Sequence, residues 1–502
     1  MIQMPLYRAT FSMAIRKISM YMTRALNRRS TPLSPSMIAS LEACRCKAQG
    51  PVAAWVHRRI DIDLSSRIAA HGASGATQVF GDFRTNSVFS GDPLSFQKPV
   101  VFTNLRLFDG VTTQLRDGLN VRIEGNQITD IFPAGEALGD VDQIDCGGKV
   151  LMPGLIDAHW HSTLCGISEL DAMTADVAYI HLVAAREAQN TLMRGFTTIR
   201  DAGGPSFALK RAIDEGFVHG PRIYPSGAMV SQTSGHGDFR MRYEIPSTPN
   251  MLSHAESAGI STIANGHDEV LRRVREQLML GASQIKMMAG GGVTSIYDPI
   301  SSTQFTDAEL RAGVDAASDW GTYVMVHVYN AKGIQRALKA GAKSIEHGQL
   351  ADDETAKMIA DHDAWWSLQP FFGDQDANPH SDPRSQAKQK LISQGTQQAY
   401  ELAQKYNVKT AWGTDILFAP NVLPRHTNML AKLTRLYSPL EVLRMATGQN
   451  GELLGLSGAC NPYSASVGTI VPGGFADLLV FDGDPTHNLD ALTDPQKNLY
   501  LI

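Results

Sequence analysis

Cysteine is scarce, with five residues in a chain of 502. That number cannot build a disulfide framework, and being odd it leaves at least one thiol outside any intrachain pairing. No apolar run approaches the roughly 18 residues a membrane-spanning helix needs, so a membrane is not an expected partner. The triplet Asn-x-Ser/Thr never occurs, which removes the acceptor for N-glycosylation. Acidic side chains are missing from the start of the chain. Residues 1–50 hold eight Lys or Arg against one acid, Glu42, leaving 37 basic and 49 acidic side chains in the remainder, a net −12. So acidic a body argues against nucleic acid as the main partner. What is present is ordinary: 43 % hydrophobic and 19 % charged residues exclude wholesale disorder and a fibrous repeat. The length allows two to four domains at about 150 residues each.

Residues 1–97 differ in texture from the rest. Arg8, Arg16, Lys17, Arg24, Arg28 and Arg29 stand among Ser, Met and Thr, the composition of an organellar transit peptide. A secretory signal needs an apolar stretch of about 7–15 residues, and charges interrupt every candidate. A disordered basic tail, or a start codon placed upstream of Met4, Met13 or Met20, explains the same composition. The segment is therefore assigned to an extension outside the folded unit, and the protein is expected in the cytoplasm, with an organelle as the alternative.

From Pro99 the pattern becomes that of a folded protein. Val100–Phe108 reads as a strand, and Leu119–Ile123 and Ile128–Phe132 read as a hairpin around Gly125-Asn126. Near the other end, Gly468-Thr469-Ile470 and Ala476–Phe481 read as further strands. These segments predict one small β domain, a β-sandwich, assembled from both chain ends, residues 98–152 and 455–502. Between them eight apolar runs alternate with helical stretches: Leu155–Trp160, Thr197–Arg200, Arg222–Ser226, Gln284–Met288, Tyr323–His327, Ser344–His347, Trp365–Gln369 and Lys409–Trp412. Helices are expected in the gaps, among them Val177–Arg194, Asp268–Leu280, Asp307–Trp320 and Ala331–Ala340. Strands buried on both faces and separated by helices imply parallel βαβ units. Eight such units over about 300 residues predict an α/β fold, a TIM-like (β/α)8 barrel over residues 153–454. Periodicity alone leaves an open doubly wound sheet as the alternative.

In such a barrel the chemistry sits at the carboxyl ends of the strands. Those ends carry His159 and His161 after the first strand, Lys286 on the fourth, His327 on the fifth, His347 on the sixth and Asp415 after the eighth. Alternate strand residues share a face, so His159 and His161 point the same way. Converging imidazoles and a carboxylate are what a divalent metal requires. Lys286 between Ile285 and Met287 is a costly buried charge unless it has a partner. Asp415 after Gly413-Thr414 also fits a helix N-cap. Gly290-Gly291-Gly292 lacks the Lys-Ser/Thr of a phosphate loop and reads as a turn that brings backbone close to the site. Trp365-Trp366 and Phe371-Phe372 read as core.

His-x-His, Lys, His, His and Asp on barrel strands one, four, five, six and eight resemble the amidohydrolase superfamily in its binuclear form. Met152–His159, Gly195–Asp201 and Pro472–Leu478 carry further matching phrases, and the likeness spans residues 98–502. Ser231–Asp238 and Lys286–Gly292 resemble the branch related to imidazolonepropionase, which includes Xaa-Pro-dipeptidase-like zinc carboxypeptidases and ochratoxin-hydrolysing amidases. The resemblance implies two divalent metal ions, zinc by preference. His159, His161 and Asp415 would hold the buried ion and His327 with His347 the more open one, bridged by Lys286 as a carbamate. It implies hydrolysis of an amide or peptide C–N bond by a metal-bridging hydroxide, with Asp415 as the proton acceptor and donor. His236 and Tyr329 match positions that contact a substrate's terminal carboxylate, so the expected substrate is a dipeptide or N-acyl amino acid. Relatives of this branch assemble as homo-oligomers. The chain departs from the family by stopping at Leu501-Ile502, before the last strand of the small β domain. A mononuclear deaminase or cyclic-amide hydrolase of the same fold is the alternative that Lys286 opposes. The complete ligand set opposes a non-catalytic scaffold.

Overall fold

The computed structural model describes residues 98–245, 251–295, 297–374, 380 and 382–502. The basic extension, residues 1–97, thus lies outside the described residues. Asp92–Ile502 form one compact unit.

Two four-stranded sheets come first. One has the order β4-β3-β1-β5, from Val100–Thr103 (β1), Leu119–Glu124 (β3), Gln127–Pro133 (β4) and Asp142–Asp145 (β5). The other joins the two ends of the described chain. Leu478–Phe481 (β17) pairs antiparallel with Val150–Pro153 (β6) on one side and with Leu499–Leu501 (β18) on the other, and Arg106–Leu107 (β2) runs parallel to β6 at the edge. Side chains of both sheets, among them Val100, Phe102, Val121, Leu151 and Val480, meet in one apolar cluster. The stretch Val100–Phe108 is two strands rather than one. Asn104 takes a left-handed conformation (φ 51°) between them, which turns the chain from the first sheet to the second. Gly468–Ile470 forms no strand; Ile470 N–H donates to Asp109 O at 3.0 Å instead.

The remaining ten strands, β7 to β16, are all parallel to their neighbours. Leu155–Trp160 (β7), Phe196–Asp201 (β8) and Arg222–Tyr224 (β9) form one sheet. A seven-stranded sheet has the order β11-β10-β12-β13-β14-β15-β16: Met229–Ser231 (β10), Ser261–Ile263 (β11), Ile285–Met288 (β12), Val324–Asn330 (β13), Ser344–Leu350 (β14), Trp365–Leu368 (β15) and Thr410–Trp412 (β16). Eight of the ten are the runs expected from the sequence. The other two, β10 and β11, are Met-Val-Ser and Ser-Thr-Ile, in which hydroxyl side chains leave no apolar run to be read.

Side chains tie the two sheets together at both ends. Asn450 Nδ2 donates to Ile156 O and Trp412 O, each at 2.8 Å, and so bridges β7 and β16. Asp415 N–H donates to His159 O at 2.9 Å. On the other side Gln284 Nε2 donates to Tyr224 O at 2.9 Å and to Asp201 O at 3.2 Å.

Four helices follow the sequence closely: Val177–Met193 (α1), His267–Leu280 (α2), Asp307–Asp319 (α3) and Ala331–Ala340 (α4). Thr306 and Glu309 form a capping box at the start of α3, and Gly281 and Gly341 take the left-handed conformation that ends α2 and α4. Helices and sheet share one large core. Val324, Val326 and Val328 of β13 enter it fully buried, each contributing about 1.5–3 kcal/mol. Their neighbours Met325, His327 and Tyr329 alternate with them along β13. This alternation places two of the candidate residues on the face opposite the helices.

Candidate metal centre

The strand ends converge as the sequence leads one to expect. Ligand atoms of His159, His347 and Asp415 lie within 4.8 Å of one another. Asp415 Oδ1 is 3.2 Å from His161 Nε2 and 3.4 Å from His159 Nε2. The His327 ring centroid is 4.5 Å from that of His347. Lys286 Nζ, buried, lies 3.4 Å from His159 Nε2. His161 and Lys286 thus adjoin the cluster of His159, His347 and Asp415, His327 packs beside it, and the proposed carboxylate readers stand next to His327. The His236 ring stacks on His327 at 4.0 Å, and the Tyr329 ring lies 5.1 Å from His327 and 5.0 Å from His347. Asp415 caps no helix. It takes a left-handed conformation (φ 54°), and the next helical turn begins at Leu423.

His347 reaches the site by breaking the strand rule. In a regular strand Glu346 and His347 point to opposite faces. His347 (φ 73°) and Gly348 (φ 75°) are both left-handed, and the β13–β14 register shifts there. Two consecutive side chains thereby serve one centre.

Hydrogen bonds fix which ring nitrogen each histidine can offer. His159 Nδ1–H donates to Glu346 Oε2 at 2.7 Å, and His161 Nδ1–H to Gly203 O at 2.9 Å. His347 Nδ1 lies 2.7 Å from Gln369 Oε1. All three are left with Nε2 for an ion. His327 is the reverse, since its Nε2–H donates to Gly291 O at 3.2 Å and Nδ1 remains.

Glu346 was not singled out from the sequence. It is fully buried, and its two oxygens accept from Arg200 Nη2 at 2.8 Å each. Arg200 also donates to Tyr323 Oη, Ser344 Oγ and Ser367 Oγ. Burial alone would raise the Glu346 carboxyl, but Arg200, His159 and Lys286 hold it well below the usual carboxylate range. The missed signal was a Glu between Ile345 and His347 in an apolar strand, the feature that marked Lys286. Asp157 was missed as well. Its carboxylate accepts from the backbone N–H of His159 and Thr414 and from Thr414 Oγ1, and lies 2.9 Å from His426 Nε2. His426 is stacked on Phe196 and Trp160 and buried far in sequence from everything it orders.

The electrostatics suit cation binding. Burial raises the Asp415 carboxyl, yet His159, His161 and His347 beside it hold it well below the usual range. Burial, with neighbouring imidazoles, pushes His327 and His347 well below the ordinary histidine value, so both offer neutral lone pairs. Burial lowers Lys286 to about 8, which raises its share of free amine near neutral pH. An ammonium has three donors, and among the described residues Nζ finds only His159 Nε2. A buried lysine so poorly satisfied is costly as a bare cation.

One expected result concerns Glu346. A ligating histidine oriented by a carboxylate loses about 10–100-fold in metal affinity when that partner is altered. Glu346→Gln should weaken zinc binding by that factor, measured by competition with a chromophoric chelator.

Buried imidazoles, a carboxylate and a lysine gathered at the ends of parallel strands define a hydrolytic centre of the amidohydrolase type. Residues 150–500 match the amidohydrolase family, and the chain belongs to that family. It is a hydrolase acting on C–N bonds. Ochratoxinase from Aspergillus niger is 30 % identical over 365 residues, covering 69 % of this chain and 73 % of that protein. Its crystal structure superposes with a TM-score of 0.69 at 27 % identity, over 80 % of this chain and 93 % of that one. A prolidase solved with N-methylphosphonate-L-proline gives 0.73 at 32 % identity, over 80 % of this chain and 97 % of that one. Imidazolonepropionase from Bacillus cereus (strain G9842) is 24 % identical over 264 residues, half of this chain and 60 % of that protein. These relatives are the branch that Ser231–Asp238 and Lys286–Gly292 pointed to. Among the described residues no helix is long and apolar enough to cross a membrane.

Proposed function

We propose that the protein is a metal-dependent amidase or peptidase that releases a C-terminal amino acid from a dipeptide or N-acyl amino acid. The observation that carries this reading is the cluster of His159, His347 and Asp415, with His161, Lys286 and His327 packed beside it. The similarity to a prolidase and an ochratoxinase supports the substrate class. Eight of the ten parallel strands, β7–β9 and β12–β16, form a (β/α)8 barrel over residues 153–454, closed at β7–β16, and the two four-stranded sheets form a β-sandwich of residues 98–152 and 455–502. Residues 1–97 are an extension to these.

His159 Nε2, His161 Nε2 and Asp415 would hold one ion, and His347 Nε2 with His327 Nδ1 would hold the second. Zinc suits this nitrogen and oxygen set. The neutral Lys286 amine would add to the carbon of CO2 and lose a proton, giving a carbamate that offers an anion where a lysine ammonium would repel a cation. When bound, two divalent cations acidify a water and polarise the scissile carbonyl. Asp415 takes the proton released as water adds to the scissile carbonyl carbon and delivers it to the leaving amine as the C–N bond breaks. His236 and Tyr329 hold the carboxylate of the amino acid that leaves.

Two measurements test this together. Metal analysis of protein purified without chelator should give two equivalents; one equivalent would favour a deaminase or cyclic-amide hydrolase and none a scaffold. A panel of N-acyl amino acids and dipeptides varied only at the C-terminal residue should show turnover, and its absence across the panel would remove the proposal.

A further inference from the structure

Lys388 lies on a long helix, Pro383–Lys405 (α5), about a hundred residues from the loop it touches. Its Nζ donates to three backbone carbonyls: Gly292 O at 2.9 Å, Ser295 O at 2.9 Å and Asp298 O at 2.7 Å. An ammonium has three protons, so every donor is used. The carbonyls belong to the loop that follows β12 and begins with the glycine run Gly290-Gly291-Gly292.

That loop is the mould of His236. Ser295 Oγ lies 2.8 Å from His236 Nδ1. Gly292 presses against the ring so closely that a Cβ built on it would stand 1.8 Å from Nδ1. Asp298 Oδ2 accepts from Gly292 N–H at 2.8 Å and from Gln304 Nε2 at 3.0 Å, and Gln304 Oε1 accepts from His236 N–H at 2.9 Å. Ring and backbone of His236 are thus held by one loop, and Lys388 draws three of its carbonyls to one point. With Nδ1 committed to Ser295, Nε2 is the ring nitrogen available to a ligand.

We infer that Lys388 is a positioning residue for substrate recognition, which fixes the Gly292–Asp298 loop and so holds His236 where it distinguishes a free carboxylate from an amide. This rests on the reading of His236 as a contact of the substrate carboxylate. Lys388 touches none of the six proposed metal ligands, and the one ligand contact of this glycine run, His327 with Gly291 O, lies outside the Gly292–Asp298 stretch and is anchored separately by Gly291 N–H to Ser302 O at 3.2 Å. Its loss should therefore change discrimination rather than metal content. A few tenths of an ångström in a donor is enough to weaken a charge-assisted hydrogen bond.

The test uses the full-length, metal-loaded protein and N-acetyl amino acids ending in Pro, Leu, Met or Phe, each as free acid and as primary amide. In Lys388→Met the acid-to-amide ratio of kcat/KM should fall at least about tenfold, mainly through KM for the acid, with amide turnover changing far less. Bound metal should be unchanged, and Lys388→Arg, which keeps the charge and several donors, should recover part of the ratio. His236→Asn, run alongside, separates the two ideas. A ratio that falls in His236→Asn but holds within about twofold in folded Lys388→Met overturns the role of Lys388 and leaves that of His236 standing. Equal loss on acid and amide, or loss of metal, also overturns it, because either shows a merely structural lysine. A ratio near one in the wild type removes the reading of His236 itself. If Lys388→Met does not fold, Lys388→Gln decides, and it must lower the ratio severalfold.

Discussion

Replacing Lys286 with alanine is expected to lower kcat/KM by about 10³-fold on any substrate the protein turns over. Metal ions at such a centre supply several kcal/mol of transition-state stabilisation, and each 1.36 kcal/mol is a decade in rate. Lys286 is buried, lies 3.4 Å from His159 Nε2, and is pushed down to about 8 by burial. An alanine there removes the bridge and leaves a gap beside His159, His347 and Asp415. Bound metal should fall below two equivalents in the same variant. A short carboxylic acid added to the buffer should restore part of the activity by occupying the gap as a surrogate bridge. Two further measurements tie the effect to a carbamate: wild-type activity should fall when CO2 is stripped during metal reconstitution, and it should return with bicarbonate. Unchanged metal content and unchanged turnover in Lys286→Ala would overturn the binuclear assignment.

Much of this site is legible in the sequence because strand-end chemistry is a local property. His159, His161, Lys286, His327, His347 and Asp415 each sit at the end of a short apolar run, and any buried polar side chain in such a run needs a reason. The helices were equally plain wherever a cap was written into the chain, as at Thr306 with Glu309 or at Gly341. What escaped detection depends on contacts made across the fold. Glu346 and Arg200 are 146 residues apart, and their pairing exists only once β8 and β14 face one interior. Asp157 and His426 are 269 residues apart, and Trp160 and Phe196 wall in the imidazole. The left-handed turn at His347 was also hidden. A histidine next to a glycine says little by itself, whereas two ligand-side residues in succession on one strand require the alternation to break.

Capping the substrate's terminal carboxylate as an amide is expected to reduce kcat/KM by about 10²-fold or more. The Tyr329 ring is buried against His327 and His347, and among the described residues its hydroxyl makes no hydrogen bond. Burial raises its pKa well above the ordinary tyrosine value, so it remains an O–H donor throughout the working range of pH. His236 stacks on the other side of His327 with one nitrogen already committed to Ser295. Two donors beside the metal centre match the two oxygens of a carboxylate, and each charge-assisted bond is worth roughly 1.5–3 kcal/mol. An amide carries no charge and turns a donor of its own toward one of them, so at least one buried group is left unpaired. Tyr329→Phe should therefore shrink the preference for the acid by about tenfold or more while bound metal stays at the wild-type level, since the hydroxyl is not a proposed ligand. The comparison needs only free-acid and amide forms of one substrate on wild type and variant, with metal content measured on both. Equal rates on acid and amide by the wild type would mean that this pocket does not read a carboxylate. Tyr329 and His236 would then line the site of a general amidase or a lactam hydrolase.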